Sequence, residues 1–314
     1  MKTIIVTPAV NTTVGNSITA QRWAGVLRTL GHQVFVETEW KGDDCDLLIA
    51  LHARRSSASA ERFRRTYPNR PLIVALAGTD LYCDLPADEA TQRSLALATR
   101  IVALQSRAAD QLSPEARSKL RVIYQSAVPP PRREPPEADW FEVCVLSHLR
   151  DVKDPLRAAW ASRQLPAESR IRITHAGRPL EQKWKELALE EERINPRYRW
   201  LLEVRHDAAM QLLARSPLLV VSSEAEGGAN VIAEAVVCGV PVLCTAIAGN
   251  IGMLGADYPG YFPVNDTSKL AYLLNRVETH STFLSSLRQF VGRLRNVFSP
   301  EREEKAWARV LEEI

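Results

Sequence analysis

Short apolar runs alternate with amphipathic stretches along the whole 314-residue chain. In the first part the apolar runs cover residues 3–6, 32–36, 46–51, 72–76, 101–104 and 121–123, and helical periodicity appears near 17–30 and 58–66. Runs this short and this uniformly apolar read as strands buried on both faces, the signature of a parallel sheet wrapped by helices. The alternation stops at Val128-Pro129-Pro130-Pro131-Arg132-Arg133-Glu134-Pro135-Pro136, where five prolines within eight residues exclude a helix or a central strand. A second alternation follows, with strands predicted at 142–146, 170–175, 198–203, 218–221 and 241–244 and helices at 155–163, 181–191, 208–214 and 230–238. Residues 267–314 read as helical, with Ser299-Pro300-Glu301 as a cap and first turn.

The predicted fold class is therefore α/β, with two Rossmann-like, doubly wound parallel-sheet domains in series. Their expected bounds are 1–130 for the first domain, 131–139 for a proline-rich linker and 140–298 for the second. A C-terminal helix, 299–314, is expected to pack back on the first domain. Ligands in such sheets sit beyond the carboxyl ends of the strands, so the loops after Val6, Leu51, Leu76, Leu146 and Val221 are expected to line one central cleft.

Composition narrows the classes. Apolar residues make up 46% and charged ones 25%, and no run approaches the roughly 20 apolar residues that span a bilayer. The first residues form too short an apolar run for a signal peptide, so a soluble cytoplasmic protein without stable membrane association is expected. A formal charge of +3 is too small to imply nucleic acid, and the arginines at 54, 55, 62, 64, 65 and 70 read mainly as a solvated helix face. Five scattered cysteines without a C-x-x-C pair argue against a disulfide framework or a zinc site.

The most informative stretch follows the strand at 218–221: Glu226-Gly227-Gly228-Ala229-Asn230-Val231-Ile232-Ala233-Glu234, then Cys238-Gly239-Val240-Pro241. Glycines without Cβ let backbone approach a ligand, and the N–H groups of the following helix face an anion such as a diphosphate. Glu226 before the helix and Glu234, about two turns in, offer carboxylates to sugar and ribose hydroxyls. A plain strand-turn-helix connection is the alternative, because a glycine pair before a helix is common.

Two glutamates eight positions apart around such glycines resemble the E-x7-E block of the retaining GT-B glycosyltransferases of family 4. His148-Leu149-Arg150-Asp151-Val152-Lys153 is similar to that family's basic donor loop, with His148 where arginine is usual. The resemblance implies that Arg150 and Lys153 neutralise the donor diphosphate and act with Glu226 in catalysis. It places His148, Gly177, Val204, Gly227, Gly228, Ala229, Asn230, Val231 and Glu234 around the nucleotide-sugar. Gly15 and Asn16 are implied to touch the sugar from the first domain. Ala77 stands where that family often has histidine.

Several segments resemble a narrower group, the selenosugar synthase of selenoneine biosynthesis: residues 16–23, 51–56, 78–82, 148–155, 226–230 and 257–263. That resemblance implies a UDP-sugar donor, UDP-N-acetylglucosamine in particular, joined to selenophosphate through a carbon–selenium bond. An oxyanion acceptor needs basic or N–H donors in the first domain, for which Arg22, His52, Arg54 and the loop at Gly15 and Asn16 are candidates, and Thr79 and Asp80 complete the implied acceptor-binding set. Selenophosphate is already a soft anionic nucleophile, so no strong general base, cofactor or metal is expected. A family 4 transferase acting on a hydroxyl of a small molecule or lipid, and a nucleotide-sugar-binding sensor without turnover, stay open as alternatives.

Overall fold

The structure, a computed structural model, describes residues 1–8, 15–78, 80–85, 88–135 and 140–314, with the backbone alone at Cys83 and Asp84. The chain divides into two compact units: Met1–Ser126 with Glu226–Asn230 and Pro300–Ile314, and Ala127–Ala225 with Val231–Ser299.

The first unit holds strands β1 (Lys2–Val6), β2 (Gln33–Glu37), β3 (Leu47–Leu51), β4 (Leu72–Leu76), β5 (Arg100–Ala103) and β6 (Leu120–Val122). Its helices are α1 (Gly15–Thr29), α2 (Ser57–Thr66), α3 (Glu89–Leu97) and α4 (Pro114–Ser118). All six strands are parallel, in the order β2-β1-β3-β4-β5-β6. Alternate residues of each strand serve opposite cores. Ile4, Val6, Leu48, Val74 and Ile101 pack with Trp40 and Phe63 on one face, and Ile5, Ile49, Ile73 and Val102 pack with Trp23, Leu27 and Trp307 on the other. Burial on both faces is why these strands read as unbroken apolar runs.

The second unit holds β7 (Phe141–Leu146), β8 (Ile171–Ala176), β9 (Tyr198–Trp200), β10 (Leu218–Val221), β11 (Val242–Thr245) and β12 (Tyr261–Phe262). Its helices are α5 (Arg157–Ser162), α6 (Gln182–Ile194), α7 (His206–Arg215), α8 (Asn230–Cys238), α9 (Ala248–Leu254), α10 (Thr267–Thr279) and α11 (Ser281–Leu294). The sheet is again parallel, in the order β12-β11-β10-β7-β8-β9. Strand β9 ends earlier than the periodicity predicts, because Leu202 turns left-handed at φ 59°. The helical tail is not continuous: α10 and α11 are followed by a 3-10 turn and then α12 (Pro300–Glu312).

Helix α12 is part of the first unit. Its Trp307 packs edge-on against Trp23 with ring centroids 4.8 Å apart. Buried Glu303 accepts from Trp23 Nε1 at 3.2 Å and from the Ser126 amide at 2.8 Å, and the Ser126 hydroxyl also donates to it. A buried carboxylate is tolerable there because its oxygens are saturated by donors. Among the described residues no helix is long and apolar enough to cross a membrane.

Candidate functional site

In each sheet the strand order reverses beside the first strand, between β1 and β3 and between β7 and β10. Such switch points are where α/β sheets open a crevice at their carboxyl ends. In the second unit β7 and β10 run side by side, Leu219 opposite Cys144, so the loops that follow them meet.

The loop after β7 carries Arg150 in extended backbone, then a 3-10 turn Asp151–Lys153, then Asp154 in the left-handed region at φ 43°. Three hydrogen bonds tie it to the segment after β10. The Ser222 hydroxyl donates to the Lys153 carbonyl at 3.1 Å and the Asp154 carbonyl at 2.8 Å, and the Glu224 amide donates to the Val152 carbonyl at 2.9 Å. Arg157 braces the same loop, donating to the Asp154 carboxylate at 2.6 and 3.2 Å and to Thr267 at 2.7 Å. Burial raises the Asp154 carboxyl above its ordinary range, against the opposing pull of Arg157. Asn265, itself held by Arg157, donates to Glu224 at 3.2 Å. Arg157 is thereby spent on scaffolding; Arg150 and Lys153, both half-buried, are the other cations of this loop. Among the described residues the Arg150 guanidinium meets no carboxylate within ion-pairing distance. Asp151 turns outward to Lys183 and to Trp184 Nε1 at 2.8 Å, and the Lys183 contact holds its carboxyl below the usual range.

His148 is half-buried and its Nδ1 accepts from the Arg178 amide at 3.3 Å. Gly177, at the end of β8, has a steric reason inside the protein: a Cβ there would lie 1.8 Å from the Ser147 carbonyl oxygen. Its amide donates to the Leu202 carbonyl at 2.7 Å, joining the segments after β8 and β9. Val204 lines a hollow of about 710 Å³ with Pro129, Pro130, Pro131, Met210 and Gln211.

Sequence reasoning passed over His175, the next-to-last residue of β8. It is fully buried, with Nε2 3.0 Å from the Ser147 carbonyl oxygen and Nδ1 3.0 Å from the Tyr198 hydroxyl. A carbonyl can only accept, so Nε2 carries the proton and Nδ1 accepts from Tyr198. Burial pushes its pKa down to about 4, which leaves a neutral ring near pH 7. The one sequence signal was an imidazole inside a strand otherwise buried at Ile171, Ile173 and Ala176.

The segment after β10 corrects one expectation. Helix α8 begins at Asn230, so Glu234 stands one turn into it, not two, and about 6 Å along its axis. The glycine pair also serves the chain's own packing within the first unit. A Cβ on Gly227 would meet the Gly78 amide nitrogen at 2.8 Å, and one on Gly228 would meet Leu104 Cβ at 2.5 Å. Glu226, Val231 and Glu234 are half-buried, Ala229 is buried, and Asn230 Oδ1 lies 3.5 Å from Arg22 Nη1.

In the first unit, Gly15 and Asn16 open α1; residues 9–14 and Thr79 lie outside the described residues. Asn16, His52 and Asp80 converge on Gly78: a Cβ there would lie 3.7 Å from Asn16 Oδ1, 3.7 Å from His52 Cδ2 and 3.6 Å from Asp80 Oδ1. Asp80 has no exposed surface, and its oxygens accept from the Ala53 amide at 2.8 Å and the Gly78 amide at 2.9 Å. It therefore shapes the backbone of two loops and does not face an acceptor directly. His52 is buried at φ 75°. Arg22 donates to buried Gln125 at 3.1 Å, and Arg54 is turned outward to Asp88 at 3.2 Å. Both arginines thus have carboxylate or amide partners in the protein.

Among the described residues no three His, Cys, Asp or Glu side chains gather as a metal site. What the second unit assembles is a cationic loop tied to the segment that leaves β10, a place where positive side chains attract and polarise a phosphorylated leaving group.

Comparison with known proteins agrees with that chemistry. HepE of Anabaena (Alr3699), solved in complex with UDP and glucose, is similar in fold at a TM-score of 0.80 with 18% identity, covering 100% of both chains. Sucrose-phosphate synthase from Thermosynechococcus elongatus gives a TM-score of 0.80 at 14% identity over 99% of this chain and 98% of its own. WaaG, a glycosyltransferase involved in lipopolysaccharide biosynthesis, gives 0.69 at 16% identity over 99% of each. At these identities the likeness is one of fold, and the fold is GT-B. No curated protein matches the sequence. The family model of the glycosyl transferases group 1 matches residues 132–291, just over half of the chain, and the protein belongs to that family of glycosyltransferases.

Proposed function

We propose that this glycosyltransferase takes the sugar of a UDP-sugar, UDP-N-acetylglucosamine in the first instance, and joins it to selenophosphate. The observation that carries the donor half is the hydrogen-bonded pairing of the Arg150–Lys153 loop with the Ser222–Glu224 segment, at the switch point of the second sheet. That pairing fixes the backbone of the loop that carries two cations, the groups that best stabilise a diphosphate. Structural neighbours solved with UDP and with UDP-glucose support a uridine nucleotide-sugar as the donor. The acceptor half rests on the segments that resemble the selenosugar synthases.

The chemistry is a displacement at the anomeric carbon. The bond from C1 to the diphosphate oxygen breaks, the bond from C1 to selenium forms, and UDP leaves with the electron pair. Arg150 and Lys153 offset the charge that grows on the leaving diphosphate, so their interaction is stronger in the transition state than in the ground state. Glu226 accepts from sugar hydroxyls and Glu234 from the ribose, with His148, Gly177 and Val204 on the nucleotide side. Gly15, Asn16 and His52 form the acceptor side, where Asp80 acts through the backbone it holds. A nucleophile that arrives ionised needs no general base, and the two cations serve at the diphosphate where other transferases use a metal. Both substrates are small water-soluble anions, which suits a reaction in the cytoplasm.

The test is UDP release and product mass from UDP-N-acetylglucosamine with and without selenophosphate. A product containing both sugar and selenium is expected. If selenophosphate does not accelerate UDP release over donor alone, the acceptor assignment fails and a hydroxyl acceptor takes its place.

A further inference from the structure

We infer that His175 is a positioning residue for the donor diphosphate: its Nε2–H holds the Ser147 carbonyl inward, so that the loop carrying Arg150 and Lys153 presents N–H groups and cations, not a carbonyl oxygen, to the anion. This rests on the reading of that loop as the diphosphate site.

The argument is geometric. Ser147 is the first residue after β7, and its peptide plane decides which way the loop faces. Its amide is already committed to the Ala176 carbonyl at 3.2 Å. Its carbonyl oxygen lies between His175 Nε2 at 3.0 Å and the space above Gly177 that a Cβ would fill. In a planar trans peptide the N–H and C=O point to opposite sides, so turning the Ser147 oxygen into the sheet turns the His148 N–H the other way. Rotating that peptide would set the negative end of its dipole toward the bound anion. Glycine at 177 makes room for the inward carbonyl, and the imidazole supplies its hydrogen bond.

The Ser147 carbonyl can only accept, so Nε2 carries the proton, and the Tyr198 hydroxyl 3.0 Å from Nδ1 can donate to the unprotonated nitrogen on the far side of the ring. Burial keeps the ring neutral, so the pair neither adds charge to the site nor loses the donor near pH 7. The loop is then carried onward by Leu149, whose amide donates to the Arg178 carbonyl and whose carbonyl accepts from the Leu180 amide, each at 3.0 Å. Arg150 follows directly, so an error in the 147–148 peptide passes to the first phosphate-binding cation.

The experiment separates positioning from stability by comparing UDP with uridine, which shares the nucleoside and lacks the diphosphate. Dissociation constants are measured by calorimetry for UDP and by displacement for uridine, on purified His175→Phe, His175→Asn and His175→Gln. A glutamine amide reaches the Nε2 position and keeps a donor for Ser147; an asparagine amide reaches only the Nδ1 position. His175→Phe and His175→Asn are expected to weaken UDP about tenfold, the scale of one misplaced contact to a charged group, with uridine within about twofold. His175→Gln is expected to restore most of the loss. If Phe does not fold, the Asn and Gln pair carries the test alone. Equal losses for UDP and uridine, or Gln no better than Asn, overturn the inference. Lys153→Ala is run in parallel: if it weakens UDP selectively while the His175 variants do not, only the role of His175 falls. If none of these variants changes the UDP-to-uridine ratio, the diphosphate reading of the loop falls with it.

Discussion

Replacing Gly177 by alanine is expected to damage both stability and donor binding, through one atom. A Cβ built there lies 1.8 Å from the Ser147 carbonyl oxygen, 2.5 Å from the Ser147 carbonyl carbon and 3.1 Å from the His148 nitrogen. Ordinary contacts between such atoms begin near about 3.4 Å, so the 147–148 backbone must retreat by roughly 1.5 Å or β8 must bend. Either shift strains the bonds from the Ser147 amide to Ala176 and from His175 to the Ser147 carbonyl. Overpacking of this kind costs about 1–3 kcal/mol, and a buried carbonyl left unpaired adds about 1–3 more. A loss near 3 kcal/mol lowers the melting temperature of a unit this size by roughly 6–12 °C. Because the displaced backbone leads into Arg150 and Lys153, turnover is expected to fall about a hundredfold in the protein that remains folded. Thermal unfolding by circular dichroism and UDP titration check the two effects. Gly25→Ala in α1 and Gly292→Ala in α11 serve as controls, since a Cβ at either meets nothing within 4 Å. Each control is expected to stabilise by about 0.5–1 kcal/mol, as alanine does in a helix interior. A Gly177→Ala protein that melts with the parent and binds UDP normally would refute the reasoning.

Three further predictions follow from the same site. Lys153→Ala is expected to lower kcat about a hundredfold or more, the scale of losing one transition-state charge contact, and a near-normal rate in a steady-state UDP-release assay rejects that role. Glu234→Ala is expected to raise donor KM more than it lowers kcat, because ribose hydroxyls are held equally in ground and transition states; unchanged donor affinity by calorimetry sinks it. For pH, the folded pKa of His175 is depressed to about 4 from 6.5, so the unfolded chain binds more protons between those values. Its contribution to stability is complete above about pH 6.5 and is lost as pH falls toward 4, by roughly 3 kcal/mol over the window. Asp154, raised by burial, works in the opposite sense, so the comparison is between the parent and His175→Gln. Urea midpoints are expected to fall more steeply with acid in the parent, and parallel curves contradict the assignment.

Much of this architecture was legible in the sequence because strands buried on both faces leave unbroken apolar runs such as Leu47–Leu51 and Leu72–Leu76, each wholly buried. The proline-rich break, the glycine pair and the cationic loop were equally visible, since each is a property of neighbouring residues. Short elements such as α3, α4, α9 and β12 were not, because two to nine residues carry too little period to register. The left-handed turn at Leu202 that shortens β9 has no glycine to announce it.

At the candidate site the division falls between residue type and residue duty. The family resemblance marked Arg150, Lys153, Asp80, Arg54 and Gly177 as candidates, and local sequence carries nothing more about them. Tertiary structure decided that Asp80 is consumed by two backbone amides, that Arg54 turns outward to Asp88, and that Arg157 braces while Arg150 meets no carboxylate among the described residues. It also decided that Gly177 is demanded by Ser147, and that His175 finds the same carbonyl across 28 positions of chain. Strand identity follows from solvent exclusion along a few consecutive residues, which sequence records. A side chain's duty follows from which distant segment the sheet order brings against it, and that is settled only when the strands are laid side by side.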